Sequence, residues 1–307
     1  MCVEGTPNSH PHPHASSAEP ANRDGAPDRA QGMACGAPSD GGIGRRAFLR
    51  RAALAGTGAA FASALPLSVA NASMGNLTRR TARFRDLTHV FRAGSPVYTF
   101  ENPSRETIVT IEADGFYAQR WAFAEHSGTH LDAPGHFVAG NRLADELPPE
   151  ELVTPIVVID ISVRAAVDPD AAVTVADLRA FERRHGRIPR GALVAMYSGW
   201  ETRIGDQAAY RNADAAGVFH FPGFGIDAAE WLLENRDIQG IGVDTLSQDN
   251  GPSATFPVHY AILGAERYGI ENLANLSLIP PRGATAFVGL VPWEQGSGGP
   301  ARVIATW

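Results

Sequence analysis

Three histidines and one aspartate lie within eleven residues of the stretch 124–139, namely His126, His130, Asp132 and His136. Glycine and proline residues separate them, a composition that suits a loop better than a core strand. Imidazole nitrogens and carboxylate oxygens are ligands that zinc, manganese and iron accept, and a metal with an open coordination position can activate a bound water. The spacing therefore predicts a metal site of a metal-dependent hydrolase, with the number of metals left open.

The residues before this stretch predict a β-hairpin. Segments 108–111 and 117–124 are rich in β-forming side chains and flank an Ala-Asp-Gly turn at 113–115. The second strand runs into the ligand stretch, where a straight strand at about 3.3 Å per residue would set His126 and His130 roughly 13 Å apart. That distance is long for two ligands of one ion. We therefore expect Gly128 to bend the chain and the strand to end in an irregular loop.

Three apolar runs, at 157–161, 193–197 and 238–244, are typical of buried strands and alternate with amphipathic stretches. The first amphipathic stretch begins at Thr174 with a capping-box pattern, and residues 227–230 are expected to cap a second helix. This alternation predicts an α/β domain with a mixed β-sheet core and flanking helices.

A polar loop at 245–252 follows the third apolar run, and loops at the end of a buried strand often build functional sites. A short helix is predicted at about 258–267. Three further strands, at 276–279, 285–291 and 302–305, are expected to close the fold.

Composition excludes several kinds of chemistry. All 26 basic residues are arginine, so no lysine is present for a Schiff base, a pyridoxal cofactor or a phosphate-binding loop. The two cysteines, Cys2 and Cys35, lie near the N-terminus, so a metal further along the chain must be held by His, Asp and Glu. The formal net charge is −7, which disfavours a nucleic acid or an anionic membrane as the partner.

The first 72 residues are typical of an export segment. A low-complexity stretch is followed by Arg45-Arg46-x-Phe-Leu, a mildly apolar run and a small-x-small site ending at Ala72. This layout resembles the twin-arginine type of cleavable signal, although Gly44 stands where Ser or Thr is usual. The predicted division is a presequence at 1–72 and one hydrolase domain at 73–307, exported to the periplasm without a stable membrane anchor after cleavage.

The motif His-x-Gly-Thr-His-x-Asp-x-Pro-x-His, met in full at 126–136, resembles that of the cyclase family of metal-dependent hydrolases. That family includes bacterial kynurenine formamidase and isatin hydrolase. The resemblance extends to further positions, namely Asp86-Leu87-Thr88-His89, Gly94, Pro96, Gly199-Trp200, Gly242-Val243-Asp244-Thr245, His259 and Glu271. It implies the family fold, a single-domain mixed sheet with flanking helices of the swivelling β/β/α type.

The resemblance also implies roles for particular residues. His126, His130 and Asp132 would bind one metal, and Asp132 would bridge to a second. His259 would bind the second metal, and Glu271 would touch both. Isatin hydrolases carry a neutral Gln at this last position, so Glu271 favours the two-metal formamidase type. The expected cofactor is a pair of divalent ions, Zn or Mn. The general acid and base would be His136.

The function predicted from these roles is arylformamidase-like hydrolysis of an aryl formamide such as N-formylkynurenine to an amine and formate. Because tryptophan breakdown is cytoplasmic whereas this chain carries an export pattern, a cyclic amide such as isatin, or a lactone, is the alternative substrate. A periplasmic metal- or ligand-binding protein without turnover is the alternative of another class. The family resemblance further implies a homodimer or a tetramer. His89 and His220 are weaker candidates for the wall of the substrate pocket.

Overall fold

The computed structural model describes residues 82–98 and 101–307. The predicted export segment lies outside these residues and remains a prediction, as does the domain boundary after Ala72. Within the described part of the chain, no helix is both long and apolar enough to span a membrane.

The strands are β1 (Phe84–Asp86), β2 (Ser104–Val109), β3 (Ala118–Ala122), β4 (His130–Asp132), β5 (Val153–Asp160), β6 (Ala172–Val173), β7 (Leu193–Tyr197), β8 (Gly223–Phe224), β9 (Gly240–Val243), β10 (Tyr268–Glu271), β11 (Ala284–Leu290) and β12 (Gly298–Thr306). The helices are α1 (Ile111–Asp114), α2 (Ser162–Ala165), α3 (Val175–His185), α4 (Gln207–Arg211), α5 (Ile226–Arg236) and α6 (Pro257–Gly264). The core is a mixed sheet in the order β1-β12-β11-β5-β7-β9-β10-β4, with β2 and β3 forming a separate hairpin and β6 and β8 a separate pair.

Strands β5, β7, β9 and β10 are parallel neighbours, and the connections between them contain α3, α5 and α6 in turn. Parallel strands need such crossover connections, which place helices against the sheet. The predicted alternation of buried strands and helices is confirmed here. The carboxyl ends of these strands meet at one edge, where the polar loop 245–252 and Glu271 lie.

Antiparallel strands complete the sheet. β11 pairs with β5 and β12, and the long β12 pairs with both β1 and β4. Because β4 also pairs with β10, hydrogen bonding from β4 through β12, β11, β5, β7, β9 and β10 returns to β4. The sheet is therefore closed into a barrel, a feature that the sequence did not predict.

Alternate residues of the strands pack into two cores. One lies between the sheet and helices α3, α5 and α6 and includes Val157, Val194 and Ile241. The other lies on the opposite face of the sheet and includes Ile156 and Leu131. Burial of both faces explains why β5 and β7 read as continuous apolar runs.

Local predictions had mixed outcomes. The hairpin before the ligand stretch is present as β2 and β3, with α1 at its tip. The capping box of α3 is confirmed, since Thr174 and Asp177 bond reciprocally to each other's backbone amides. The predicted cap of α5 at 227–230 is wrong, because the N-cap is Gly225, which has no side chain to accept a capping hydrogen bond. The predicted strand at 276–279 is wrong, since the left-handed Asn275 turns the chain into a single 3-10 turn, Leu276–Leu278.

Candidate metal centre

Strand β4 carries two of the predicted ligands and is paired on both sides. Across one ladder His130 lies opposite Glu271 of β10, and across the other Asp132 lies opposite Gly298 of β12. Side chains two residues apart on a strand point to the same face. His130 and Asp132 therefore share the face that His259 of α6 approaches.

Gly128 bends the chain before β4, as predicted, but the irregular loop expected after it is wrong at His130–Asp132, because these residues form a buried strand that pairs on both sides. Its φ of +66° lies in the left-handed region that favours glycine, and a Cβ there would collide with the Phe91 ring. The bend brings the ring centroids of His126 and His130 to 5.2 Å from each other, far closer than a straight strand would allow. Both imidazoles can therefore face one ion.

The first donor group consists of His126, His130 and Asp132. His126 Nδ1 lies 2.7 Å from Asp132 Oδ1, and His130 Nε2 lies 3.3 Å from the same oxygen. One ligand atom from each of the three residues falls within 4.8 Å of the others. This spacing fits the coordination sphere of one metal ion.

The second donor group consists of Asp132, His259 and Glu271, whose ligand atoms also lie within 4.8 Å of one another. His259 Nε2 is 3.2 Å from Glu271 Oε1 and 3.6 Å from Asp132 Oδ2. Asp132 therefore belongs to both groups, with one oxygen toward each. The structure brings together all five residues that were predicted as ligands.

The charges of these residues fit a pair of divalent cations. His130 Nε2 is buried and has no hydrogen-bond partner among the described residues, although a Glu271 oxygen lies 3.4 Å away. Burial disfavours a charged His130, but the Asp132 and Glu271 carboxylates outweigh burial and raise its pKa to about 10. Burial likewise opposes a charged Asp132, but His126 and the other histidines hold the pKa of Asp132 well below its usual range. Buried carboxylates beside an unpaired imidazole nitrogen form a site that favours a cation.

Each ligand histidine is oriented by a hydrogen bond from its other ring nitrogen. His130 Nδ1 donates to the Gly128 carbonyl at 2.8 Å, and His259 Nδ1 donates to Asp249 Oδ2 at 2.6 Å. Because these acceptors carry no proton, Nε2 of both rings is left to face the centre.

His126 has the opposite orientation, with Nε2 2.9 Å from Ser297 Oγ and Nδ1 toward the centre. Ser297 Oγ donates in turn to Glu125 Oε2 at 2.5 Å, so the serine accepts from the imidazole. Neither Ser297 nor Asp249 was predicted. Asp249 lies in the polar loop that was expected to contribute to a site, whereas nothing near Ser297 in the sequence marks it.

Gln248 also belongs to the centre and was missed. Its Nε2 donates to Asp132 Oδ2 at 2.8 Å, and its backbone amide donates to Glu271 Oε1 at 3.1 Å. A Cβ at Gly269 would collide with the Gln248 amide, so glycine at that position makes room for it. Gln248 thus fixes one oxygen of each carboxylate.

His136 lies beside the donor groups and belongs to neither. It ends the 3-10 turn that starts at Pro134, and its ring stacks on His126 with centroids 3.7 Å apart. Within the described residues, no group hydrogen-bonds to its ring. Burial lowers the pKa of His136 to about 4, although the Asp132 charge opposes this shift. The imidazole is therefore neutral at pH 7 and can accept a proton.

The centre opens into a cavity of about 250 Å³. Apolar side chains form much of its wall and the donor groups form its floor; the lining residues are Tyr98, His126, His130, Asp132, His136, Phe137, Leu246, Ser247, Phe256, His259, Glu271 and Asn272. Two weaker candidates do not line it. His89 lies in a separate depression beside Arg302, and His220 pairs with Asp170 at 2.9 Å.

Comparisons with known proteins identify the relatives of this chain. Residues 85–250 match the Cyclase family model. Isatin hydrolase from Roseibium aggregatum is 38% identical over 208 residues, which are 64% of this chain and 78% of that protein. Cyclase-like protein 1 of Arabidopsis thaliana is 29% identical over 173 residues, or 53% of this chain and 61% of that protein.

Solved structures give the same result. Isatin hydrolase A from Ralstonia solanacearum superposes with a TM-score of 0.71 at 35% identity, covering 80% of this chain and 99% of that one. An isatin hydrolase bound to the product analogue thioisatinate gives 0.71 at 31% identity, covering 74% and 92%. The match to the family model and the identity to these relatives show that this chain belongs to the cyclase family.

Proposed function

We propose that this chain is a metal-dependent hydrolase that opens the amide bond of small cyclic aryl amides of the isatin type. The observation that carries the proposal is the position of Asp132, which is shared by two donor groups next to the imidazole of His136, a ring that belongs to neither group. The isatin hydrolases described above support the substrate class. The proposal keeps the predicted ligands and the predicted base.

The five ligand residues would hold the ions, with one oxygen of Asp132 toward each. When bound, divalent ions would supply Lewis-acid polarisation of the amide carbonyl and would lower the pKa of water. The carboxylates of Asp132 and Glu271 offset part of the added positive charge. Gln248 holds both carboxylates in place through its side chain and its backbone amide.

His136 moves the proton in the proposed reaction. An unprotonated ring nitrogen of His136 accepts a proton from the water that attacks the amide carbonyl. The same nitrogen then gives this proton to the amide nitrogen as the C–N bond breaks, so that the products are an amine and a carboxylic acid, which ionises by releasing its proton to solvent. The stack on His126 holds the His136 ring beside the reacting atoms.

The cavity favours a small and flat substrate. Its volume of about 250 Å³ is below the roughly 300–1,000 Å³ that is usual for drug-sized ligands. Phe137 and Phe256 contribute aromatic surface, with ring centroids 5.6 Å apart. Aromatic rings bind other rings by stacking or by edge contacts, so these side chains orient an aryl amide and limit the access of bulk water.

The predicted arylformamidase activity rests on the resemblance at Glu271 and has no support from the comparisons, because the functionally named relatives above are isatin hydrolases. An open aryl formamide presents the same carbonyl and leaving nitrogen to His136. The relative turnover of the two substrates therefore distinguishes the two activities.

The test is a substrate panel with the protein loaded with Mn²⁺ or Zn²⁺. We expect isatin to be opened faster than a formyl anilide or an aryl lactone, with activity lost on chelation and restored by metal. Asp132→Ala, which removes the shared ligand, is the inactive control. Faster turnover of the formyl anilide would make arylformamidase the better assignment. A metal-loaded protein that turns over none of these substrates would refute the proposed hydrolase activity.

A further inference from the structure

Asn272 follows the ligand Glu271 directly and is 2% exposed. Its φ of +56° lies in the left-handed region, which Asn adopts more readily than most residues. The backbone amide of Asn272 donates to the Thr245 carbonyl at 3.0 Å, and its carbonyl accepts from Thr129 Oγ1 at 2.6 Å. Asn272 therefore joins the end of β10 to the polar loop and to the segment before β4.

The side chain of Asn272 makes a second set of contacts. Nδ2 donates to the Gly128 carbonyl at 2.9 Å, and Oδ1 lies 2.9 Å from the Tyr210 hydroxyl. The Tyr210 proton is shared with the Asp244 carbonyl, which is also 2.9 Å away. The opposite amide orientation would set Oδ1 against the Gly128 oxygen, so the carbonyl decides which way the amide points.

The Gly128 carbonyl thus accepts two hydrogen bonds, one from Asn272 Nδ2 and one from His130 Nδ1. Two lone pairs are all that a carbonyl oxygen offers, so its capacity is filled. The bond from His130 keeps the proton on Nδ1 and leaves Nε2 to face Asp132 and Glu271. The position of this carbonyl is therefore part of what prepares His130 to bind a metal.

We infer that Asn272 is a positioning residue of the metal centre, which orients His130 through the Gly128 carbonyl. The inference rests on the proposed metal site. Loss of the direct hydrogen-bond partner of a metal ligand commonly weakens metal binding by about 10- to 100-fold, and Asn272 holds such a partner in place. Among the described residues, Asn272 makes no hydrogen bond to the side chain of a predicted ligand, so its contribution acts through the backbone.

Asn275 provides a matched control three residues away. It also has a left-handed backbone, with φ of +58°, and its Nδ2 also donates to a backbone carbonyl, that of Asp86, at 2.9 Å. This carbonyl contacts no ligand of the centre. Because glycine accepts left-handed angles, Asn→Gly at either position removes the side chain without straining the backbone.

The experiment compares Asn272→Gly, Asn275→Gly and the parent by Zn²⁺ and Mn²⁺ affinity, measured in competition with a chelator. It also follows the exchange protection of the His130 Nδ1 proton by NMR of histidine-labelled protein. We expect Asn272→Gly to bind both metals up to about 10-fold more weakly, the lower end of the effect of losing a direct partner, and to lose protection of that proton. Asn275→Gly should keep the parent values in both measurements.

Parent-like affinity and protection in Asn272→Gly would overturn the inference, as would equal losses in the two variants. Should Asn272→Gly fail to fold, Asn272→Asp replaces it, because an oxygen facing the Gly128 carbonyl breaks the same bond at nearly constant volume. Failure of the parent to bind either metal would refute the proposed function instead. The protection of the His130 proton in the metal-free chain would still test Asn272.

Discussion

Replacement of His136 by Ala tests whether His136 acts as a general base or as a metal ligand. The His136 ring belongs to neither donor group, so the metal content should stay that of the parent. What is lost from the folded state is the stack on His126, whose ring centroid lies 3.7 Å away. What is lost from the reaction is general acid–base catalysis. We expect turnover to fall by about 10²- to 10⁴-fold, or about 3–5 kcal/mol in the barrier.

The assay is kcat and KM for isatin opening at saturating metal, together with metal analysis and a melting curve for each variant. His220→Ala is the matched control, since His220 is also partly buried but pairs with Asp170 outside the cavity. It should retain the activity of the parent. Added imidazole should restore part of the activity of His136→Ala, because a small base can enter the space left by the ring.

Two results would refute this account of His136. Loss of metal in proportion to loss of activity would make it a ligand. Full turnover by the alanine variant on every substrate of the parent would show that another group transfers the proton. In the second case the donor groups and the family assignment would be unaffected.

Three further predictions concern the donor groups. Glu271→Gln removes one of the two carboxylates facing His259 Nε2, so elemental analysis should show nearly two metals per chain in the parent and a lower second occupancy in the variant; equal content in both would contradict this. Because the Asp132 and Glu271 carboxylates raise the pKa of metal-free His130 to about 10, metal binding at pH 7 should displace its proton, and affinity should rise with pH up to that value. Calorimetry in buffers of different ionisation enthalpy would show this release, and buffer-independent heats would exclude it. Asp249→Asn weakens the acceptor that orients His259 and should reduce metal affinity by about 10- to 100-fold. The control Asp170→Asn alters the partner of His220, outside the cavity, and should leave the metal affinity unchanged.

The parts of the site that residue types and spacing alone predicted lie in one short segment, whereas His259 and Glu271 were predicted only through the family resemblance. His126, His130 and Asp132 stand out because three potential metal ligands so close together are unusual in a core strand, although His130 and Asp132 do lie in β4. Gly128 could be predicted to bend the chain because a straight strand has a known rise per residue. β7 was predicted with its observed bounds because burial on both faces leaves a continuous apolar run.

The parts that were missed depend on contacts between distant segments. Ser297 bonds to His126 across 171 positions, and Gln248 bonds to Asp132 across 116. Polar residues in loops carry no periodicity that would indicate such partners. Strand β10 was missed because it has only four residues and follows α6 closely. Closure of the barrel could not be predicted from the sequence because it requires β4 to pair with two strands at once.

That double pairing links metal occupancy to the stability of the whole domain. β4 contributes His130 and Asp132 to the centre, and it is also the strand that joins β10 to β12. Ions that bind only the joined arrangement stabilise it by mass action, by about 2.7 kcal/mol when the free metal is at 100 times Kd. Backbone amides of β4, and those of β10 and β12 that pair with it, should then exchange with solvent more slowly as metal is added. The amides of the separate hairpin β2–β3 should keep their exchange rates.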